Sequence, residues 1–215
     1  MFAKIQNAII VFAKAPIAGY SKTRLIPFIG ADAASKLQEQ FIQRTLKTVC
    51  SDRDWTVYLF TTPHSEFPVF QEWSTQAGLL FRQQITGDLG QRMANAFAQI
   101  KQCHDRVIII GTDCPDLNVA ALHQGFACLD HDDVVIFPAE DGGYVGLGLK
   151  SLMPGIFRNI DWSTEKVLQQ TMERIKQVGA TWHLMPELWD VDNYEDYKRF
   201  EKLLQNENSL SKFKH

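Results

Sequence analysis

The chain has 215 residues, 45% of them hydrophobic and 22% charged, with a formal net charge of −3. This length suits one sizeable core, and the composition excludes disordered and collagen-like classes. The balance of 22 basic against 25 acidic residues gives no electrostatic reason for binding nucleic acid or an acidic membrane. Cys50, Cys103, Cys114 and Cys128 are widely spaced with no Cys-x-x-Cys pair, so neither a zinc site nor a disulfide framework is expected. Reduced thiols in a cytoplasmic protein are the simple reading.

Residues 8–13 form a short apolar run, too brief for a signal-peptide core or a membrane span, and read as a first buried strand. A basic loop with Pro16 and Gly19 stops it. From 31 to 50, Ala34, Leu37, Phe41, Thr45 and Val49 recur at helical spacing, with Asp32 in the favoured first turn. Residues 55–61 are a strand closed by Pro63, 65–77 a weaker helix, and 79–81 a short strand after Gly78. Gly87-Asp88-Leu89-Gly90 opens a helix whose inward face is Leu89, Met93, Ala96, Phe97 and Ile100.

Residues 107–110, four consecutive β-branched side chains, read as a strand buried on both faces. Asn118 suits the N-cap of a helix to Leu129, with Leu122, Phe126 and Leu129 inward. Strands at 134–138 and 145–149 flank the turn from Glu140 to Tyr144. Ser163 can cap a helix over 164–178 ended by Gly179, residues 181–185 are a last strand, and Asn193 caps a helix from 194 to about 205. The expectation is one domain over 1–205 with a frayed tail at 206–215. Alternating strands and helices imply an α/β architecture, a mainly parallel sheet covered on both faces.

In such sheets ligands bind beyond the carboxyl ends of the strands, so the loops there carry the chemistry. Gly111-Thr112-Asp113-Cys114-Pro115-Asp116 puts two carboxylates in a turn, where both can face Mg²⁺ or Mn²⁺; aspartates are also ordinary turn residues. The first loop, residues 14–25, carries Lys14, Lys22 and Arg24, suited to a diphosphate, although a solvated basic loop explains it too. It lacks the Gly-Lys-Thr order of a Walker loop, and no Gly-x-Gly-x-x-Gly supports a nicotinamide cofactor. Gly87-Asp88-Leu89-Gly90 with Arg92 can surround a base or a phosphate, or simply start a helix capped by Asp88. Gly142 and Gly143 allow close backbone approach to a ligand and Tyr144 offers a ring or hydroxyl, while a tight hairpin explains the glycines equally. In Asp190-Val191-Asp192-Asn193 a second metal carboxylate competes with plain helix capping. The histidines form no ligand pattern, His183 reads as a core residue, and no serine-nucleophile motif appears.

Taken in order, Phe12-Ala13-Lys14-Ala15-Pro16 with Gly19 and Lys22-Thr23-Arg24-Leu25, Gly87-Asp88-Leu89-Gly90 with Arg92-Met93, Gly111-Thr112-Asp113-Cys114-Pro115, Pro138-Ala139-Glu140-Asp141-Gly142-Gly143-Tyr144, Trp162-Ser163-Thr164 and Asp190-Val191-Asp192 resemble a bacterial family of GT-A-like glycosyltransferases, known as radical-SAM-associated or arsenosugar-biosynthesis transferases. The resemblance spans nearly the whole chain. It implies a nucleotide-diphospho-sugar transferase fold, a three-layer α/β/α sandwich whose mixed sheet has one antiparallel strand near the acidic turn. It implies Asp113 as metal ligand, with Asp192 preferred over Asp116 as the second contact because a strict Asp-x-Asp is missing after the central strand. Lys14, Ala15, Pro16, Gly19, Lys22, Thr23, Arg24, Gly87, Asp88, Leu89, Gly90, Arg92, Gly142, Gly143 and Tyr144 would hold the nucleotide-sugar donor, and Asp141 or Glu140 would serve an acceptor hydroxyl. The activity implied is metal-assisted sugar transfer to a small molecule, by a possible homodimer. The first loop is also similar to that of phospholactate guanylyltransferases, so nucleotidyl transfer with pyrophosphate release is the alternative; a non-catalytic nucleotide-sugar sensor is a third.

Overall fold

The structure, a computed structural model, describes residues 6–63, 70, 73 and 79–211. Strands β1 (Asn7–Lys14), β2 (Trp55–Thr62), β3 (Leu80–Gln83), β4 (Arg106–Ile110), β5 (Val134–Pro138), β6 (Tyr144–Leu149) and β7 (Trp182–Leu184) form one sheet in the order β3-β2-β1-β4-β6-β5-β7. All pairings are parallel except those of β6, which runs antiparallel to both β4 and β5. Around it lie α1 (Ile26–Ile29), α2 (Ala31–Cys50), α3 (Leu89–Ile100), α4 (Val119–Cys128), α5 (Val167–Gln177) and α6 (Tyr194–Ser211). This is the expected three-layer α/β/α sandwich with a mainly parallel mixed sheet, its single reversed strand directly after the acidic turn.

Strand alternation sorts the core into two layers. Ile9, Val11, Leu59, Ile108 and Ile110 pack with Ile42, Leu46 and Val49 of α2 and Leu122 and Phe126 of α4. Ala8, Ile10, Phe60, Val107 and Ile109 face the other way, against Met93, Ala96 and Phe97 of α3 and Ile175 of α5. A third cluster joins Phe41 of α2 to Phe200 of α6, with ring centroids 4.8 Å apart. Through it α6 anchors the segment that carries Asp190 and Asp192.

Helix starts follow the expected caps in three places. Asp88 and Gln91 form a reciprocal capping box on α3, Asn118 Oδ1 accepts from Ala121 N–H, and Asn193 Oδ1 accepts from the N–H groups of Glu195 and Asp196. Asp88→Ala removes half of the box and is expected to lower stability by about 1 kcal/mol, read from the midpoint of urea unfolding at unchanged slope.

Elsewhere the elements differ from expectation. The helix capped by Ser163 begins only at Val167: Ser163 adopts a left-handed φ of 67°, and Thr164 Oγ1 donates to Asp161 O, so residues 162–166 form a turn. The last helix continues to Ser211, where Glu207 pairs with Arg44 of α2 at 2.7 Å. His183 is exposed on the edge strand β7, near Asp132 at 4.0 Å, rather than in the core. The short α1 and a turn of helix at Pro154–Phe157 had no clear periodic signal. The helix expected over 65–77 lies outside the described residues except at Phe70 and Trp73, which are helical. Among the described residues no helix is long and apolar enough to cross a membrane.

Candidate active site

A crevice of about 540 Å³ opens over the carboxyl ends of β1, β2, β4 and β5 and the amino end of β6. Reversal of β6 brings Tyr144 to the same edge as Asp113 and Asp141.

The loop after β1 is pinned at its root by Ala15 N–H, which donates to Thr62 O at 2.8 Å. Lys22 then takes a left-handed φ of 48°, turning its side chain inward to 4% exposure. Its ammonium lies 2.7 Å from Asp113 Oδ2 and donates to Val191 O at 2.6 Å, over the ring of Phe41. Asp113 Oδ1 accepts from Thr112 Oγ1 at 2.8 Å, and buried Gln38 donates to that same hydroxyl oxygen. Both oxygens of Asp113 are therefore held within the protein.

Val191 N–H donates to Asp113 O at 3.0 Å, docking the segment before α6 beside the end of β4. Val191 is buried, and its extended neighbours Asp190 and Asp192 both line the crevice. Asp141 completes a trio: one oxygen from each of Asp141, Asp190 and Asp192 lies within 4.8 Å of the others. Burial, and then the carboxylates of Asp141, Asp192 and Asp113, push the Asp190 carboxyl up to about 7. Arg24 offsets part of this charge through Asp192, at 2.8 Å. Three clustered oxygen donors whose negative charge Arg24 and Lys22 only partly offset suit a hard divalent cation.

The opposite wall is aromatic. Tyr144 and Trp162 line it with Ser163 and Thr164. The Tyr144 hydroxyl is wholly buried and makes no hydrogen bond of good geometry, and burial raises its pKa; its ring, not its hydroxyl, faces the crevice. Two glycines seat this wall. A Cβ on Gly90 would sit 2.7 Å from Trp162 Cζ2, and one on Gly142 would sit 2.3 Å from Glu165 O.

Of the residues singled out in the sequence, Lys14, Lys22, Thr23, Arg24, Leu89, Arg92, Asp113, Asp141, Gly143, Tyr144 and Asp192 line the crevice. Ala15, Pro16, Gly19, Gly87, Asp88, Gly90 and Gly142 do not; they shape the turns and close approaches behind it. Glu140 points elsewhere, paired with Arg199 at 2.8 Å. Asp116 Oδ2 accepts from Trp189 Nε1 at 2.7 Å and is absent from the lining. Cys114 is buried and its thiol is pushed up to about 12, which leaves it un-ionised at neutral pH. Gln38 and Gln84 were not selected from the sequence, and Asp190 and Trp162 entered only as members of the Asp190-Val191-Asp192-Asn193 and Trp162-Ser163-Thr164 stretches, with no role of their own. Asp190 had a usable signal, the two-residue spacing to Asp192, which places both on one side of extended chain.

Solved structures share this fold. A protein of Desulfovibrio desulfuricans G20, provisionally named a nucleotide-diphospho-sugar transferase, superposes with a TM-score of 0.80 at 29% identity, covering 88% of this chain and 83% of that one. The 4-diphosphocytidyl-2C-methyl-D-erythritol synthase of Anaerococcus prevotii DSM 20548 gives 0.64 at 10% identity, with coverage of 93% and 96%. Rv0371c of Mycobacterium tuberculosis H37Rv, in complex with manganese, gives 0.54 at 13% identity, with coverage of 90% and 97%. No curated protein matches the chain. A family profile described as an uncharacterized protein conserved in bacteria (DUF2064) matches residues 45–164, a stretch holding the Gly87–Gly90 turn, the Asp113 turn, the Asp141–Tyr144 turn and Trp162, and the chain belongs to that family.

Proposed function

We propose that the protein is a divalent-metal-dependent glycosyltransferase that moves a sugar from a nucleotide-diphosphate donor to a small-molecule acceptor. The observation that carries this reading is the convergence of Lys14, Lys22 and Arg24 with the Asp141, Asp190 and Asp192 trio in the lining of one crevice. A donor diphosphate needs both cationic side chains and a metal held by carboxylates. Asp190, Asp192 and Asp141 would hold Mg²⁺ or Mn²⁺, with Asp113 beside them. When bound, such an ion stabilises negative charge on the diphosphate leaving group.

The chain's own residues supply the rest. Lys14 carries no ion pair among the described residues and is free to meet a phosphate oxygen. Lys22, fixed by Asp113 and Val191 O, contributes a preorganised positive charge that needs no reorganisation as the leaving group departs. Asp141 Oδ1 accepts from Gly143 N–H at 2.8 Å, which fixes the carboxylate within the trio, while Glu140 is committed to Arg199 and turned away from an acceptor in the crevice. Trp162 and Tyr144 offer the acceptor an aromatic wall.

The test is a thermal-shift screen of nucleoside diphosphates, nucleotide sugars and triphosphates with and without Mn²⁺, followed by product analysis. Donor at about a hundredfold over its Kd should add about 2.7 kcal/mol of stability, and only when metal is present. Release of a nucleoside diphosphate on turnover supports glycosyl transfer, whereas release of pyrophosphate from a triphosphate would replace it with nucleotidyl transfer.

A further inference from the structure

Arg92, in the first turn of α3, is a crevice cation that differs from its counterparts. Lys22 and Arg24 are paired with Asp113 and Asp192, whereas Arg92, like Lys14, makes no ion pair among the described residues, and unlike Lys14 it is held in place. A side-chain amide holds it instead. Arg92 Nη1 donates to Gln84 Oε1 at 2.9 Å, and Gln84 is only 7% exposed. Gln84 Nε2 donates to Phe60 O at 2.8 Å and its backbone N–H to Thr61 O at 3.0 Å. Because a carbonyl can only accept, the Phe60 contact fixes which end of the amide is nitrogen, and the oxygen is left facing Arg92. Arg92 Nε also donates to Asp88 O at 3.4 Å, so the guanidinium is aimed, and the Nη2 donors with the second Nη1 proton remain for a ligand.

Position in the sheet narrows what that ligand is. Gln84 follows β3 and bonds to β2, whereas Asp141 and Asp190 follow β5 and β7, with β1, β4 and β6 in between. A nucleotide with its diphosphate at the cations and carboxylates therefore directs its base toward Arg92. A phosphate is disfavoured at this end, because the capping box already satisfies the α3 N-terminus and places the Asp88 carboxylate there. Leu89, in the same helical turn, and Phe12, packed on Phe60, supply apolar walls suited to a flat ring.

We propose that Arg92 is a specificity-determining residue, aimed by Gln84 as a positioning residue, that selects a nucleobase presenting two neighbouring acceptors on one edge. Guanine offers O6 and N7, and cytosine offers O2 and N3; in adenine N1 and N7 each adjoin the N6 donor and N3 stands alone, and in uracil the two oxygens flank an N3–H donor, so neither satisfies the fork. This rests on the reading of the crevice as a nucleotide site.

The experiment measures Kd for GDP, CDP, UDP and ADP with Mn²⁺ by calorimetry on the wild type, Arg92→Lys and Gln84→Leu. Wild type is expected to prefer GDP or CDP over ADP by about tenfold or more, the worth of one bidentate contact, and the GDP and CDP arms identify the base. Arg92→Lys keeps the charge but loses the fork, so the preference should fall toward unity while ADP binding changes little. Gln84→Leu should reduce the same ratio less. Equal weakening of all four diphosphates by Arg92→Lys, or a wild type without preference, would overturn the base assignment and leave nucleotide binding intact. Failure of every nucleotide to bind the wild type would overturn both readings. Arg92→Lys carries the decision if buried Gln84 proves intolerant of change.

Discussion

Replacing Asp190 with Asn is expected to raise the melting temperature of the metal-free protein at pH 8 and to remove its response to Mn²⁺. In the folded chain the Asp190 carboxyl titrates near 7, pushed there by burial and by the neighbouring carboxylates, against about 4 for an unfolded aspartate. Below pH 4 the group is protonated in both states and has no effect. As pH rises from about 4 to 7 the unfolded chain gives up its proton while the folded one keeps it, so stability declines across that window, and the loss is complete above 7. The Asn side chain keeps the shape and removes the charge. After allowance for the partial exposure of Asp190, the gain is about 2 kcal/mol at pH 8 and close to nothing at pH 4. For a domain of this size that is roughly 5 °C in Tm. Calorimetry at the two pH values, with and without Mn²⁺, reads both effects. If Asp190→Asn lowers Tm at pH 8, or still responds to Mn²⁺ as the wild type does, the trio is not a strained cation site. Turnover of the same variant should fall about a hundredfold to a thousandfold if the proposed transferase activity holds, since removing one preorganised charge-stabilising element costs rate on this scale.

The second large effect is expected at Gly142→Ala. Gly142 has a φ of +84°, and its added Cβ would meet the Glu165 backbone oxygen at 2.3 Å. Backbone atoms have no rotamer by which to move aside. Strain in φ and overlap together should cost about 3 kcal/mol. Gly30→Ala separates the two contributions, because Gly30 has nearly the same φ, +82°, and nothing within 4 Å of the added atom. That control should lose only about 1 kcal/mol. Equal losses for the two variants, measured by urea unfolding, would show that contact with the 162–165 turn contributes nothing.

Much of this architecture was legible because periodicity reports on burial. The α2 pattern of Ala34, Leu37, Phe41, Thr45 and Val49 gave a helix whose observed bounds are Ala31–Cys50, and all five side chains are buried. Unbroken apolar runs at β1, β4 and β5 declared strands covered on both faces. The direction of β6 could not be read from its own residues and came only with the family resemblance, since strand sense leaves no local trace. Local rules failed where tertiary contacts set the backbone. Ser163 looks like an N-cap, yet the close approach of Gly142 to Glu165 and the Trp162 packing on Gly90 hold 162–166 as a turn. In the site, loop identity was readable but aim was not. Asp116 and Glu140 sit in the expected turns, and their carboxylates are engaged by Trp189 and Arg199 from elements 73 and 59 residues distant in sequence.

The bond from Val191 N–H to Asp113 O also bears on the order in which the molecule becomes competent. The strands that carry Lys14 and Asp113 are synthesised well before the segment that carries Asp190 and Asp192, and besides its bonds to Asp113 and Lys22 that segment is held by α6, through Phe200 against Phe41. During vectorial synthesis the nascent chain can thus assemble its central sheet with the crevice still open on one side. Seating of the carboxylate trio waits on α6, which follows every strand of the sheet in the chain. A chain interrupted before α6 would retain the β1 loop and the aromatic wall but lose the Phe200 contact with Phe41 that helps to seat its carboxylate trio.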